Sequence, residues 1–311
     1  MSMAMYLHKV FILLATLAVG VFLRKINVVR AEAFHPLSML VSHFTLPCAI
    51  LSGCRDLTLR GNCLLFIGAG IAVNLLLLLV GWLAGKNKGT EGKMFCMINS
   101  AALNVGNFAV PLLTGSAMTS ALPSVFFFDI GNALMGCGGN YTLSCAALEK
   151  RQGRSSGRDI LRQLSRSTCF DLYVVLIVLA VMRIQLPEGL YTYADNVAAS
   201  NSVLVMLLFG IGLNWNISRR ELQTALMVFV LRYVTLIVLS FLVLLLPMSD
   251  DILLGIAIAT ISPISTMCVL FTEESGGDCM LSSTMASFSI LVSMAVLLFC
   301  MPLWQMLLVW K

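Results

Sequence analysis

Two apolar stretches carry a proline and polar side chains in runs long enough to cross a bilayer. The first reads Asn104-Val105-Gly106-Asn107-Phe108-Ala109-Val110-Pro111 and the second Ser262-Pro263-Ile264-Ser265-Thr266. Proline removes a backbone donor and its ring clashes with the preceding turn, so it breaks or kinks a helix. Carbonyls freed in hydrocarbon must find partners, and such breaks persist only where protein or a water-filled cavity covers them. Amide and hydroxyl groups beside half-helix ends could bind a carboxylate or an ion. Asn104 and Asn107 are three residues apart and share a helix face, and Gly106 gives close access to the backbone. Their alternative use is interhelical hydrogen bonding and packing. In the second stretch Thr260, Ser262, Ser265 and Thr266 surround Pro263, although hydroxyls in membrane helices also bond back to their own turn.

Two ionisable residues lie inside apolar runs. Arg232 falls ~15 Å into one of them at 1.5 Å per residue, close to the midplane of a bilayer. Asp129 occupies another, followed by Gly131, Asn132 and Asn140. Charges at that depth are costly and mark function by default. Arg232 could attract a substrate anion and Asp129 could carry a coupling proton. Alternatively the two pair with each other, or Arg232 reaches the inner surface.

The elements that position these residues follow from composition. Hydrophobic residues make up 59% of the chain and charged residues 11%, against about 25% charged in a soluble domain. Such a chain cannot cover itself for water. Runs of membrane-crossing length predict ten spans: Tyr6–Leu23, Leu37–Ser52, Cys63–Leu83, Met94–Leu113, Leu122–Ala146, Leu172–Leu186, Val197–Leu213, Leu222–Leu246, Ile252–Phe271 and Leu281–Trp304. The first leads into Arg24-Lys25 rather than a small-residue cleavage site, and so reads as a retained span.

Fourteen of the 20 basic residues fall in alternate loops when the N-terminus is placed outside. Because cytoplasmic loops retain Lys and Arg, this predicts a cell-membrane protein with both termini outside. The net charge of +5 therefore sets topology and is not a nucleic-acid signal. The ten cysteines form no CxxC pair and the three histidines are confined to the first two spans and their edges, so neither a metal site nor a cofactor is expected. A missing HExxH pattern argues against an enzyme.

A polar, basic linker divides the chain into residues 1–148, 149–168 and 169–311, five spans on each side. It could also meet anionic lipid headgroups. An odd number of spans per unit means that a second copy runs through the membrane in the opposite sense. Arg24 and Arg183 end the first and sixth spans alike, 87 and 80 residues before Pro111 and Pro263. That spacing makes each broken span the fourth of its half, a plan of inverted repeats.

With these features the chain resembles the auxin efflux carrier family, which includes bacterial malonate and malate permeases. The resemblance rests on Asn104 through Pro111-Leu112, on Pro263, Leu270 and Gly276-Gly277-Asp278, on Ser289, and on Gly20, Arg24 and Pro47 in order. It implies an all-α fold of ten helices in two inverted five-helix repeats, like sodium/bile-acid symporters and sodium/proton antiporters, with the broken helices crossed. It further implies elevator-type transport of a small organic anion (malate, malonate or an auxin-like acid), coupled to H+ or Na+ or facilitative, by a homodimer. The first, second, sixth and seventh helices would be the scaffold. Taken with the reading of the breaks and the buried charges, the expected substrate residues are Asn104, Gly106, Asn107, Pro111, Arg232, Ser262, Pro263, Ser265, Thr266 and Ser289, with Asp129 for the proton. Asn107 departs from the family, where an apolar residue is common. The alternatives are a sensor built on a carrier fold and a sodium-coupled symporter of a larger anion.

Overall fold

Helix is the only regular structure among the described residues, and a helix satisfies its own backbone groups without water. The computed structural model describes residues 3–30, 33–55, 63–114, 118–148, 168–212 and 219–310. The basic linker lies outside them as far as position 167.

The helices are α1 (Met3–Lys25), α2 (Phe34–Leu40), α3 (Leu46–Gly53), α4 (Cys63–Ala84), α5 (Gly89–Ser100), α6 (Val105–Leu113) and α7 (Leu122–Leu134). They continue as α8 (Asn140–Ala147), α9 (Thr168–Met182), α10 (Glu188–Gly212), α11 (Arg219–Val243), α12 (Asp250–Thr260), α13 (Met267–Glu274) and α14 (Cys279–Trp310). By length and composition five stretches among the described residues suffice to cross a membrane: Cys63–Ala84, Thr119–Ala147, Glu188–Gly212, Gln223–Val243 and Cys279–Val309. Their outward faces leave Leu64, Leu79, Val230 and Phe299 exposed, while Phe108, Phe126, Phe128 and Trp304 fill the interior. A protein dissolved in lipid can carry such an apolar exterior, whereas a soluble one rarely does.

Two helix pairs cross with a glycine on each side. On α1 and α10, a methyl at Gly20 would overlap the Leu207 carbonyl, and one at Gly210 the Leu17 carbonyl. On α4 and α7 the same holds for Gly70 against Phe128 and Gly131 against Ile67. Small residues of this kind let backbones touch where no hydrophobic force drives helices together.

Several expected spans differ in detail. The seventh begins earlier, at Glu188 rather than Val197, because its polar first turns have partners: Asp195 accepts from Arg55 at 2.9 Å and from Ser52 at 2.6 Å. The fifth is interrupted by a π-turn at Met135–Gly139, where Gly138 adopts φ 143°, a conformation that favours glycine. In the fourth, the break falls before the proline. Pro111 lies within α6, and the chain departs from helix between Ser100 and Val105.

Candidate functional site

The end of α5 and the start of α6 are joined by Ala101–Asn104, and α12 and α13 by Ile261–Thr266. These two irregular segments meet. Leu103 and Ile264 form an antiparallel bridge. The Asn104 N–H donates to the Pro263 carbonyl at 2.9 Å, and the Ser265 N–H to the Ala102 carbonyl at 3.3 Å. Ala102 has φ 50°, a left-handed conformation that persists in a non-glycine residue only when its surroundings over-determine it.

The surroundings do so here. Asn74 on α4 accepts the Ala102 N–H at 2.9 Å. Asn132 on α7 accepts the Leu103 N–H at 2.9 Å and donates back to its carbonyl at 2.7 Å. Asn74 donates to Asn132 and accepts from Asn140. The second break is held by Ser289 on α14, whose Oγ accepts the Ile264 N–H at 2.9 Å. Asn74 carried no signal in the sequence, being one polar residue in an apolar run. Asn132 and Asn140 could have been found from their clustering near Asp129.

Arg232 is fully buried and belongs to the same assembly. One guanidinium nitrogen donates to the carbonyls of Ser100 and Ala101, the other to Ala102 at 3.3 Å and Ser262 at 3.1 Å. These carbonyls lie at or just past the C-terminal ends of α5 and α12, where helix dipoles are negative. Among the described residues Arg232 has no ion-pair partner. The alternative pairing with Asp129 is therefore absent from the structure, and the Arg232 head group stays at the crossing rather than at a surface. Asp129 instead accepts from Asn132 at 2.9 Å and from Tyr173 on α9 at 3.0 Å. Its carboxylate also stands beside Gly106 in the first turn of α6.

A cavity of about 490 Å³ opens against the crossing, lined by Asn104, Ile264 and Thr266, by Leu270 and Glu273 of α13, and by Arg24. Asn104 and Thr266 are the N-cap residues of α6 and α13, so two helix N-termini face it. Of the expected site residues, these two line the cavity. Ser262 and Pro263 are buried at the break, and Ser265 turns its Oγ to the Met267 N–H. Ser289 and Arg232 lie behind it as supports. Asn104 stands outside the helix as its cap and Asn107 within it, so they do not form the shared helical face the spacing predicted. The Asn107 Oδ1 is buried without a partner, as is the Nδ2 of Asn201 on α10. The α6 and α10 helices touch through Ser202, which donates to the Pro111 carbonyl at 3.1 Å. A second cavity, of about 740 Å³, includes Arg55, Asp195 and Asp251. Along α10, Asp195 and Ile211 are ~24 Å apart at 1.5 Å per residue, which puts the two cavities at opposite ends of that helix.

Discontinuous helices that meet at a polar crossing, within an apolar helical chain, are the architecture of membrane transporters. The family described as membrane transport protein matches residues 5–162, just over half of the 311 residues. The chain belongs to that family, the auxin efflux carriers, and is a membrane transport protein. A comparison with individually curated proteins returns no match.

Proposed function

We propose that the protein carries a small organic anion, such as malate, malonate or an auxin-like acid, through the cavity at the crossing. The observation that carries this reading is electrostatic. The N-termini of α6 and α13 face the cavity with Arg24 on its wall, and the negative ends of α5 and α12 are covered by Arg232. An anion entering there meets positive dipole ends and little that repels it apart from Glu273. The Asn107 Oδ1 and the Asn201 Nδ2, each buried without a partner, leave further hydrogen-bonding capacity beside the same half-helix.

Ten passes in two inverted repeats, 1–148 and 169–311, fit the way the breaks are held. In each half the third long helix sends a polar side chain to the crossing, Asn74 and Arg232. In each half a residue of the last pass accepts one N–H of the bridge pair, Asn132 for Leu103 and Ser289 for Ile264. The glycine crossings favour elevator movement, since they lock α1 to α10 and α4 to α7. Between these groups run weaker links, including Tyr173 to Asp129 and Ser287 to the Gly212 carbonyl at 3.2 Å. A homodimer through the scaffold helices would give the moving part a fixed frame. Both termini lie outside in this reading, and the crossing cavity then opens inward beside Arg24. Outside labelling of a cysteine introduced at Ser156 would overturn that orientation.

Asp129 is the proposed proton carrier, because Tyr173 donates to it from the other helix group and the bond must break as the groups slide. In proteoliposomes loaded with malate, malonate or an indole acid, Asn104→Ala and Thr266→Val should weaken substrate affinity about tenfold or more, since a hydrogen bond to a charged group contributes about 1.5–3 kcal/mol. In the same assay Asp129→Asn should keep binding but lose its response to an imposed proton gradient. Parent-like affinity in both pocket variants would remove the pocket, and an unchanged gradient response would remove Asp129.

A further inference from the structure

In carriers with broken helices, unwound carbonyls and half-helix C-terminal ends are the groups that hold a coupling cation. Here four such carbonyls, from Ser100, Ala101, Ala102 and Ser262, converge on the guanidinium of Arg232. We propose that Arg232 is a tethered resident cation, and that beneath it lies a carbonyl cage able to take a free monovalent cation when the side chain is removed.

Three observations support this. Arg232 is fully buried, and no carboxylate of the described residues pairs with it, so its charge is balanced by carbonyl dipoles and helix ends alone. All four terminal N–H bonds find carbonyls, while Nε has no partner, so the fork is committed to the backbone of both breaks at once. The carbonyls belong to segments that other side chains already fix: Asn74 and Asn132 hold the first, and Ser289 the second. Such a cage keeps its shape when the guanidinium leaves. An arginine cannot lose its proton inside a protein and cannot dissociate. The crossing therefore carries the same positive charge through every step of a transport cycle, and in the native chain no free cation enters this cage.

The test requires no substrate, so its outcome is independent of the anion pocket proposed above. Thermal unfolding of the full-length protein in detergent is followed in sodium, potassium or choline chloride at equal ionic strength. The wild-type midpoint should be the same in all three. Arg232→Ala should melt lower in choline, and sodium, potassium or low methylguanidinium should raise its midpoint with the logarithm of concentration, as binding to the folded state alone requires. Arg232→Lys should stay near the wild type and ignore sodium. A wild-type midpoint that sodium raises over choline would overturn the proposal, as would a folded Arg232→Ala protein indifferent to the cation. If Arg232→Ala does not fold, the lysine variant decides: folded and insensitive to sodium supports the tethered charge, unfolded in every salt overturns it.

Discussion

Alanine at Gly131 is expected to destabilise the detergent-purified protein by about 3 kcal/mol or more, seen as a large drop in thermal midpoint. The added methyl would overlap the Ile67 carbonyl, and on the facing helix Gly70 stands equally close to the Phe128 carbonyl. These neighbours are backbone atoms, which cannot swing aside as the tip of a side chain can, so α4 and α7 must separate. Their separation would also draw Asn74 and Asn132 away from Ala102 and Leu103, and ligand affinity should fall with stability. Gly68 on the same α4 has open space where a methyl would go. Gly68→Ala should be neutral or slightly stabilising, since alanine is the better helix former. Equal midpoints for Gly131→Ala and Gly68→Ala would show that the crossing is looser than described.

Asn132→Leu should lose on the order of 4 kcal/mol. Asn132 is buried and takes part in four hydrogen bonds, two with Leu103 and one each with Asp129 and Asn74. Leucine fills the space but leaves the Leu103 N–H and carbonyl without this partner, and each buried polar group so stranded costs about 1–3 kcal/mol. The left-handed turn at Ala102 would lose part of what over-determines it. Ser289→Ala withdraws only one acceptor from the backbone of the other break, that for the Ile264 N–H, and should cost less, about 1–3 kcal/mol. A comparison of thermal midpoints checks the order. If Asn132→Leu were no more harmful than Ser289→Ala, the first break would owe its shape to something other than this clamp.

Much of the plan was legible before any coordinates. A chain with 59% hydrophobic residues has to be helical in a membrane, because helices satisfy their own backbone locally. That each half carries one interruption was legible too, from prolines and polar residues in matching places; that the two meet was what the family resemblance implied. The position of the first interruption was not. Pro111 pointed to it, yet the helix tolerates that proline, and the turn is made by an alanine. Nothing local marks Ala102 for φ 50°. Its conformation comes from Asn74, Arg232 and the second break, all distant in sequence.

The sequence by itself determined the class, the helical character and the polar residues that mark the two breaks, since these follow from hydrophobicity, proline chemistry and the cost of charge in lipid. The roles within that set were decided by the tertiary structure. Arg232 and Ser289 hold the crossing from behind, Asn104 and Thr266 face the cavity, and Asp129 stands beside α6 rather than opposite Arg232. The physical reason is that a buried charge or amide takes its meaning from its partners. Here those partners are backbone groups exposed only where two helices break and cross, a geometry that no spacing within one span encodes.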